Sequence, residues 1–182
     1  MAFVIQMRGS VPDIGLIHGG SSPSMASMWQ GSVVSIHIAR SAGQPMETVP
    51  QARAVTGRGL QGDRYFLGTG YYSDKPGAGG REVTLIETEM LEALPAEGPI
   101  KISASESRRN IATAGVPLNH LVGREFWVGD VRMRGTRLCE PCRYLDGLTQ
   151  AGAMATLVHR AGLRALILND GVIRSGDTVK PV

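Results

Sequence analysis

With 182 residues, 42% of them hydrophobic and 19% charged, the chain has the size and composition of one globular domain with a full core. No apolar run is long enough to span a bilayer, and a net charge of +3 without a dense basic run argues against nucleic acid as a partner. Two cysteines are too few for a secreted disulfide framework and the first residues lack the apolar centre of a signal peptide, so a cytoplasmic, thiol-preserving setting is expected.

Residues 1–28 carry no clear period and include Gly19-Gly20-Ser21-Ser22-Pro23-Ser24, which predicts a flexible extension ahead of a single domain over residues 29–182. From Trp29 the pattern sharpens. Val34, Ile36 and Ile38 alternate with Ser35 and His37, the period of a half-buried strand with His37 on its exposed side. A second strand is expected over residues 48–56, weakened by Pro50. Gly57-Arg58-Gly59-Leu60-Gln61-Gly62-Asp63-Arg64-Tyr65 then sets glycines among polar residues, the mark of a backbone that turns tightly or approaches a ligand closely. The glycine-rich stretch runs on to Gly80 and is expected to be mobile in part. It is not a dinucleotide fingerprint, because no buried parallel strand precedes it and no long helix follows.

Residues 82–86 read as a strand, followed by a short helix from a Thr88 cap to Leu94, where Pro95 stops it, and by a strand over residues 99–103. Ser105-Glu106-Ser107-Arg108-Arg109-Asn110-Ile111 leads to Gly115. Its two arginines and asparagine suit an anion, or else a solvated loop. Past a connector over residues 118–123, which carries His120, residues 125–128 and 131–138 are expected to pair as a hairpin across Gly129-Asp130. A helix over residues 147–162 would align Met154, Leu157, Val158 and Ala161 on one face. Asn169-Asp170-Gly171 predicts another hairpin, between residues 163–168 and 172–174, and residues 176–179 a last strand. Many short strands with two or three helices make a mostly β fold, a barrel with helical insertions.

The two cysteines stand together in Cys139-Glu140-Pro141-Cys142, flanked by Arg137 and Arg143, whose charge favours the reactive thiolate. Several uses are open. A structural zinc site lacks two ligands, which His120 and His159 could supply only by long-range folding. A redox dithiol belongs at a helix N-terminus in an α/β frame, and the surroundings here read as β. A single thiolate suffices to ligate a cofactor metal, with arginines for an anionic tail. Two partly buried, inert thiols are the plain alternative. No Gly-x-Ser-x-Gly elbow supports a hydrolase, although a Cys–His pair assembled by the fold stays open.

From about Gly31 onward the chain resembles the MOSC family, named for the C-terminal domain of molybdenum cofactor sulfurase. The resemblance is carried by Gly59-Leu60-Gln61-Gly62-Asp63-Arg64-Tyr65, by Arg108-Arg109-Asn110-Ile111 with Gly115, and by Leu121-Val122-Gly123 leading to Phe126-Trp127-Val128-Gly129-Asp130. Cys139-Glu140-Pro141-Cys142 and Gly171-Val172-Ile173-Arg174-Ser175-Gly176-Asp177-Thr178-Val179 complete it, and stand-alone bacterial members are the most similar. Tyr65-Phe66 stands where many relatives carry histidine. The resemblance implies a closed β-barrel related to the pyruvate kinase barrel domain. It implies that Cys142, directly after proline, either ligates molybdenum in a molybdenum–pterin cofactor or carries sulfur as a persulfide. Arg108, Arg109 and Asn110 are then candidates for the pterin phosphate, Asp63 and Arg64 for the cofactor edge, and Arg143 for charge beside the sulfur. The expected activity is reduction of N-hydroxylated or N-oxygenated small molecules with electrons from a separate reductase. The alternative is delivery of sulfur for cluster or cofactor assembly beside a cysteine desulfurase-type partner, pyridoxal phosphate belonging to that partner.

Overall fold

The computed structural model describes residues 29–74 and 80–182. The expected flexible extension over residues 1–28, and residues 75–79 of the glycine-rich stretch, lie outside them. The described chain forms eleven strands: β1 (Gly31–Ile38), β2 (Glu47–Val49), β3 (Gln51–Val55), β4 (Gly59–Leu60), β5 (Val83–Glu87), β6 (Ile111–Ala114), β7 (Glu125–Val128), β8 (Val131–Leu138), β9 (Leu163–Ile167), β10 (Gly171–Arg174) and β11 (Thr178–Pro181). Three short helices join them: α1 (Thr88–Glu97), α2 (Arg143–Leu148) and α3 (Ala153–Thr156). Among the described residues no helix is long and apolar enough to cross a membrane.

The strands run in the order β11-β7-β8-β9-β5-β6-β1, and β1 pairs back onto β11 to close the expected barrel. The barrel is mixed, because β5 and β6 are parallel while the other pairings are antiparallel. Closure leaves these seven strands without a free edge. β2 extends the sheet from the far end of β1, and β10, β3 and β4 form a small separate sheet. The inward phase of each strand fills the barrel: Ile36, Leu85, Ile111, Phe126, Met133 and Leu163 are fully buried there. The outward phase of β5 and β6 supplies Ile86 and Ala112 to a second core, where Leu91, Leu94, Leu145, Leu157 and Ala161 of the helical layer cover them. Fully burying a leucine there stabilises the layer by roughly 2 kcal/mol.

Several local expectations change. The strand over residues 48–56 divides at Pro50 into β2 and β3, which belong to different sheets. Proline has no N–H for a continuous ladder, and its carbonyl accepts instead from the Ser175 amide at 3.1 Å. His37 is buried rather than exposed, at 4% exposure. The β1–β6 register slips between Val33 and Ser35 and breaks strict alternation, so Val33 is buried and Val34 exposed. Helix α1 begins after Glu87 with no side-chain cap and runs past Pro95 to Glu97, so Thr88 is not its cap. Residues 99–103 are irregular, and the strand lies instead at β6, which pairs with β5. The helix expected over residues 147–162 is broken by Gly152 in the left-handed region, leaving α2 and α3. Asn169-Asp170-Gly171 makes no hairpin. It is a corner at which the chain leaves the barrel, the Asn169 side chain taking the Arg132 amide at 2.7 Å and Asp170 the Thr56 amide at 2.9 Å. The hairpin of β7 and β8 across Gly129-Asp130 forms as expected.

Candidate functional site

The β8–β9 ladder ends at the pair Leu138–Leu163, and one residue on the Cys139 amide donates to the Gly162 carbonyl at 2.7 Å. Gly162 has a φ of 93°, and a side chain there would run into the Leu85 carbonyl, so glycine alone fits this crossing. The chain then turns through Glu140 and Pro141 and places Cys142 at the N-cap of α2, its carbonyl taking the Leu145 amide at 2.9 Å. Both cysteines are free thiols; Cys139 is buried and Cys142 half-buried. They line one small cavity of about 60 Å³.

This cavity lies on the outer wall of the barrel. Val83 and Leu85 of β5 point into the barrel core, as do Leu163 and Ala165 of β9, so the intervening Thr84 and Arg164, which face each other across the ladder, point outward into the cavity. Arg64 and Tyr65 enter from the glycine loop, Tyr72 from its later part, and Arg108 and Arg109 from the turn before β6.

Most of the polar groups expected at the site hold one another. Asp63, 1% exposed, accepts from the Ala39 amide (3.1 Å), the Tyr65 amide (3.1 Å) and Arg64 (3.0 Å). Arg64 also donates to the Arg108 carbonyl at 3.2 Å. Arg109 donates through Nε to Ala161 O (2.7 Å), through Nη1 to Ser107 O (3.0 Å) and through Nη2 to Cys139 O (2.7 Å). Asn110 joins β5 to β1, accepting from the Thr84 amide and hydroxyl and donating to His37 O at 3.2 Å. These four residues form the frame of the cleft. Arg143 is exposed and is not part of the cavity lining.

Arg108 differs. Its backbone is left-handed, φ 63°, a conformation costing a non-glycine residue about 1–2 kcal/mol. Nη1 donates to Gln44 O at 2.5 Å, while Nη2 is buried without a hydrogen-bond partner among the described residues. Burial, and then the neighbouring Arg64 charge, lower its pKa. Arg164 is half-buried in the cavity wall and makes no side-chain hydrogen bond or ion pair among the described residues. A strained, unsatisfied guanidinium beside a second uncommitted one is where an anionic group would be received.

Sequence reasoning missed the tyrosines. Tyr72 donates from its hydroxyl to Cys142 Sγ at 3.4 Å. That bond, with burial second, pushes the Tyr72 hydroxyl up to about 12. Tyr71 meets Tyr72 edge to face at 4.9 Å and stacks on Tyr144 at 4.1 Å, and Arg81 donates to the Tyr72 carbonyl. The visible signal was an aromatic pair, Tyr71-Tyr72, inside an otherwise polar glycine-rich stretch. For Arg164 it was a lone cation in an apolar strand. Tyr65 lines the cavity, and burial raises the pKa of its hydroxyl.

His159 pairs with Glu140 at 3.0 Å on the surface, and no group of three or more His, Cys, Asp or Glu side chains converges among the described residues. A wider hollow of about 580 Å³, lined by Trp29, Pro117, His120, Leu121 and Arg124 among others, contains no cysteine. Despite its size it carries less chemistry than the cleft.

The MOSC domain family matches residues 42–180. The chain belongs to the MOSC family. Solved structures similar to it include the YuaD protein from Bacillus subtilis, at a TM-score of 0.66 and 17% identity over 84% of this chain and 97% of that one. YiiM from Geobacillus stearothermophilus (TM-score 0.62, 14% identity, 84% of this chain and 75% of that one) and YiiM from Escherichia coli (0.60, 16%, 83% and 69%) share the fold. No curated protein matches.

MOSC proteins are associated with molybdenum-cofactor binding. The residues of the cleft fit that group in kind: a half-buried soft sulfur for the metal, and the unpartnered Arg108 nitrogen with Arg164 for a phosphate. The 60 Å³ of this partly open cavity has room for little more than the metal end. A second hollow of about 320 Å³, bounded by Arg58, Gly68, Gly80 and Arg81, meets the first at Tyr65 and offers space beside further cations.

Proposed function

We propose that this MOSC protein holds a molybdenum–pterin cofactor through Cys142 and reduces N-hydroxylated or otherwise N-oxygenated small molecules. Support comes from one observation above the others: the Cys142 sulfur sits in a cleft lined by Arg108, one of whose nitrogens is buried without a partner among the described residues, and by Arg164. When bound, the cofactor supplies two-electron redox chemistry at a metal with a position open to a substrate oxygen. The chain supplies the rest. Cys142 offers the thiolate, and Arg108 and Arg164 offer charge for the phosphate. Asp63, Arg64, Arg109 and Asn110 hold Arg108 and the wall behind it, and the tyrosines limit water at the sulfur. A separate, cytoplasmic reductase provides electrons, since the sequence carries no haem or flavin signature. The test is elemental analysis of protein made in a host that produces the cofactor. Wild type is expected to carry molybdenum and Cys142→Ala almost none; equal, near-zero metal in both sinks the reading.

The small size of the cavity favours one second reading, a persulfide on Cys142 handed to a partner. About 60 Å³ is on the scale of a single added sulfur atom. Mass spectrometry after incubation with a pyridoxal-phosphate cysteine desulfurase and cysteine would find one extra, reductant-labile sulfur on Cys142, and its repeated absence removes this alternative.

A further inference from the structure

We propose that Tyr72 is a positioning residue for the Cys142 sulfur: its hydroxyl fixes where the sulfur sits for the incoming group. The contact is a hydrogen bond of 3.4 Å, within the range for sulfur acceptors. It does not stand alone. Two links join the same two segments, because Tyr71 and Tyr72 are adjacent in the loop while Cys142 and Tyr144 lie two residues apart at the head of α2. The second link is the Tyr71–Tyr144 stack, 4.1 Å between ring centroids and 14° between planes. Tyr72 packs at right angles against Tyr71, its carbonyl is gripped by Arg81, and that guanidinium lies 5.8 Å from its ring. The hydroxyl therefore cannot swing off the sulfur without disturbing the Tyr71 edge contact.

A hydrogen bond to a thiolate ties up lone-pair density. A sulfur whose lone pair is held in this way attacks more slowly than a free one. Tyr72 thus restrains as well as aims the sulfur. The inference rests on the reading of Cys142 as the reacting sulfur and serves either use of it, metal ligand or persulfide carrier.

The test uses the full chain produced without molybdenum. Alkylation of each cysteine by iodoacetamide is followed by peptide mass spectrometry at a pH where the Cys142 rate has stopped rising. Tyr72→Phe keeps the ring and deletes the donor. The Cys142 plateau rate is expected to rise about threefold while the Cys139 rate stays at the wild-type value. An unchanged Cys142 rate in Tyr72→Phe overturns the proposal. So does equal acceleration of both cysteines, since a merely loosened wall would open both. In the molybdenum-loaded protein the sulfur-to-metal charge-transfer band is expected at lower energy in Tyr72→Phe, because the donor no longer stabilises the sulfur lone pair. The two readings fail separately: a wild type that takes up no metal sinks the cofactor assignment and leaves the plateau-rate comparison intact.

Discussion

Arg109 uses all three of its donor nitrogens on the carbonyls of Ala161, Ser107 and Cys139, whereas its neighbour Arg108 combines a left-handed backbone with one buried, unpaired nitrogen. Arg109→Ala strands three acceptors and is expected to destabilise the fold by about 3 kcal/mol, a melting temperature roughly 10 °C lower. Arg108→Gly relieves the backbone and removes the unpaired cation, and loses only the bond to Gln44. Its melting temperature is expected within about 3 °C of wild type while bound molybdenum falls below half. Calorimetry with elemental analysis separates these outcomes, and a loss of stability in Arg108→Gly as large as in Arg109→Ala would make Arg108 part of the frame. His37 is a different residue-scale case. Its ring lies between the Ser35 hydroxyl (2.8 Å) and the Thr48 hydroxyl (3.1 Å), and burial lowers its pKa below the usual 6.5. The unfolded chain then takes up the proton first, so the contribution of His37 to stability is present above about pH 6.5 and is lost as pH falls from there through the lowered folded-state value. Urea melts between pH 7.5 and 5 should show stability decreasing with acidity, and the decrease should flatten in His37→Gln. An identical slope in both proteins would assign the dependence elsewhere.

At the scale of elements, what could be read in the sequence tracks how local the cause is. The β7–β8 hairpin was legible because alternation and a Gly-Asp turn lie within one short stretch. β6 was not: Ile111-Ala112-Thr113-Ala114 has no strong period, and its place is set by parallel pairing with β5, across an intervening helix. The hairpin expected at Asn169-Asp170-Gly171 does not form, because β10 finds its partner in β3, more than a hundred residues earlier. Residues 48–56 have strand character throughout, and only the geometry of barrel closure decides that the two sides of Pro50 serve different sheets. The cleft shows the same division. Cys142 and the arginine pair announce themselves by residue type. That Arg109 is fully spent on carbonyls while Arg108 keeps one nitrogen unpaired depends on the Ala161 and Cys139 backbones arriving from 52 and 30 residues away, which no window of sequence contains.

The whole molecule has two cores, and the site belongs to the seam between them. The barrel interior is enclosed by seven paired strands, while the second core holds α1, α2 and α3 against the outer wall through Leu94, Leu145, Leu157 and Ala161. Cys142 heads α2, and α2 is anchored in the second core by Leu145. Arg109 ties the two layers, since its bonds run to Ala161 in the helical layer and to Cys139 just past the end of β8. A cavity made in the second core should therefore loosen the sulfur before it loosens the barrel. Leu157→Ala is expected to cost about 3 kcal/mol, with hydrogen exchange accelerating over residues 143–161 and little change in β5, β8 and β9. Leu163→Ala, made in the barrel interior, removes the same atoms but should speed exchange across the strands as well, because closure couples every stave to its neighbours. Molybdenum retention on dialysis should fall in Leu157→Ala under conditions where the barrel amides remain protected. Uniform acceleration in Leu157→Ala would mean that the two cores open as one unit, and that the position of Cys142 is as stable as the barrel itself.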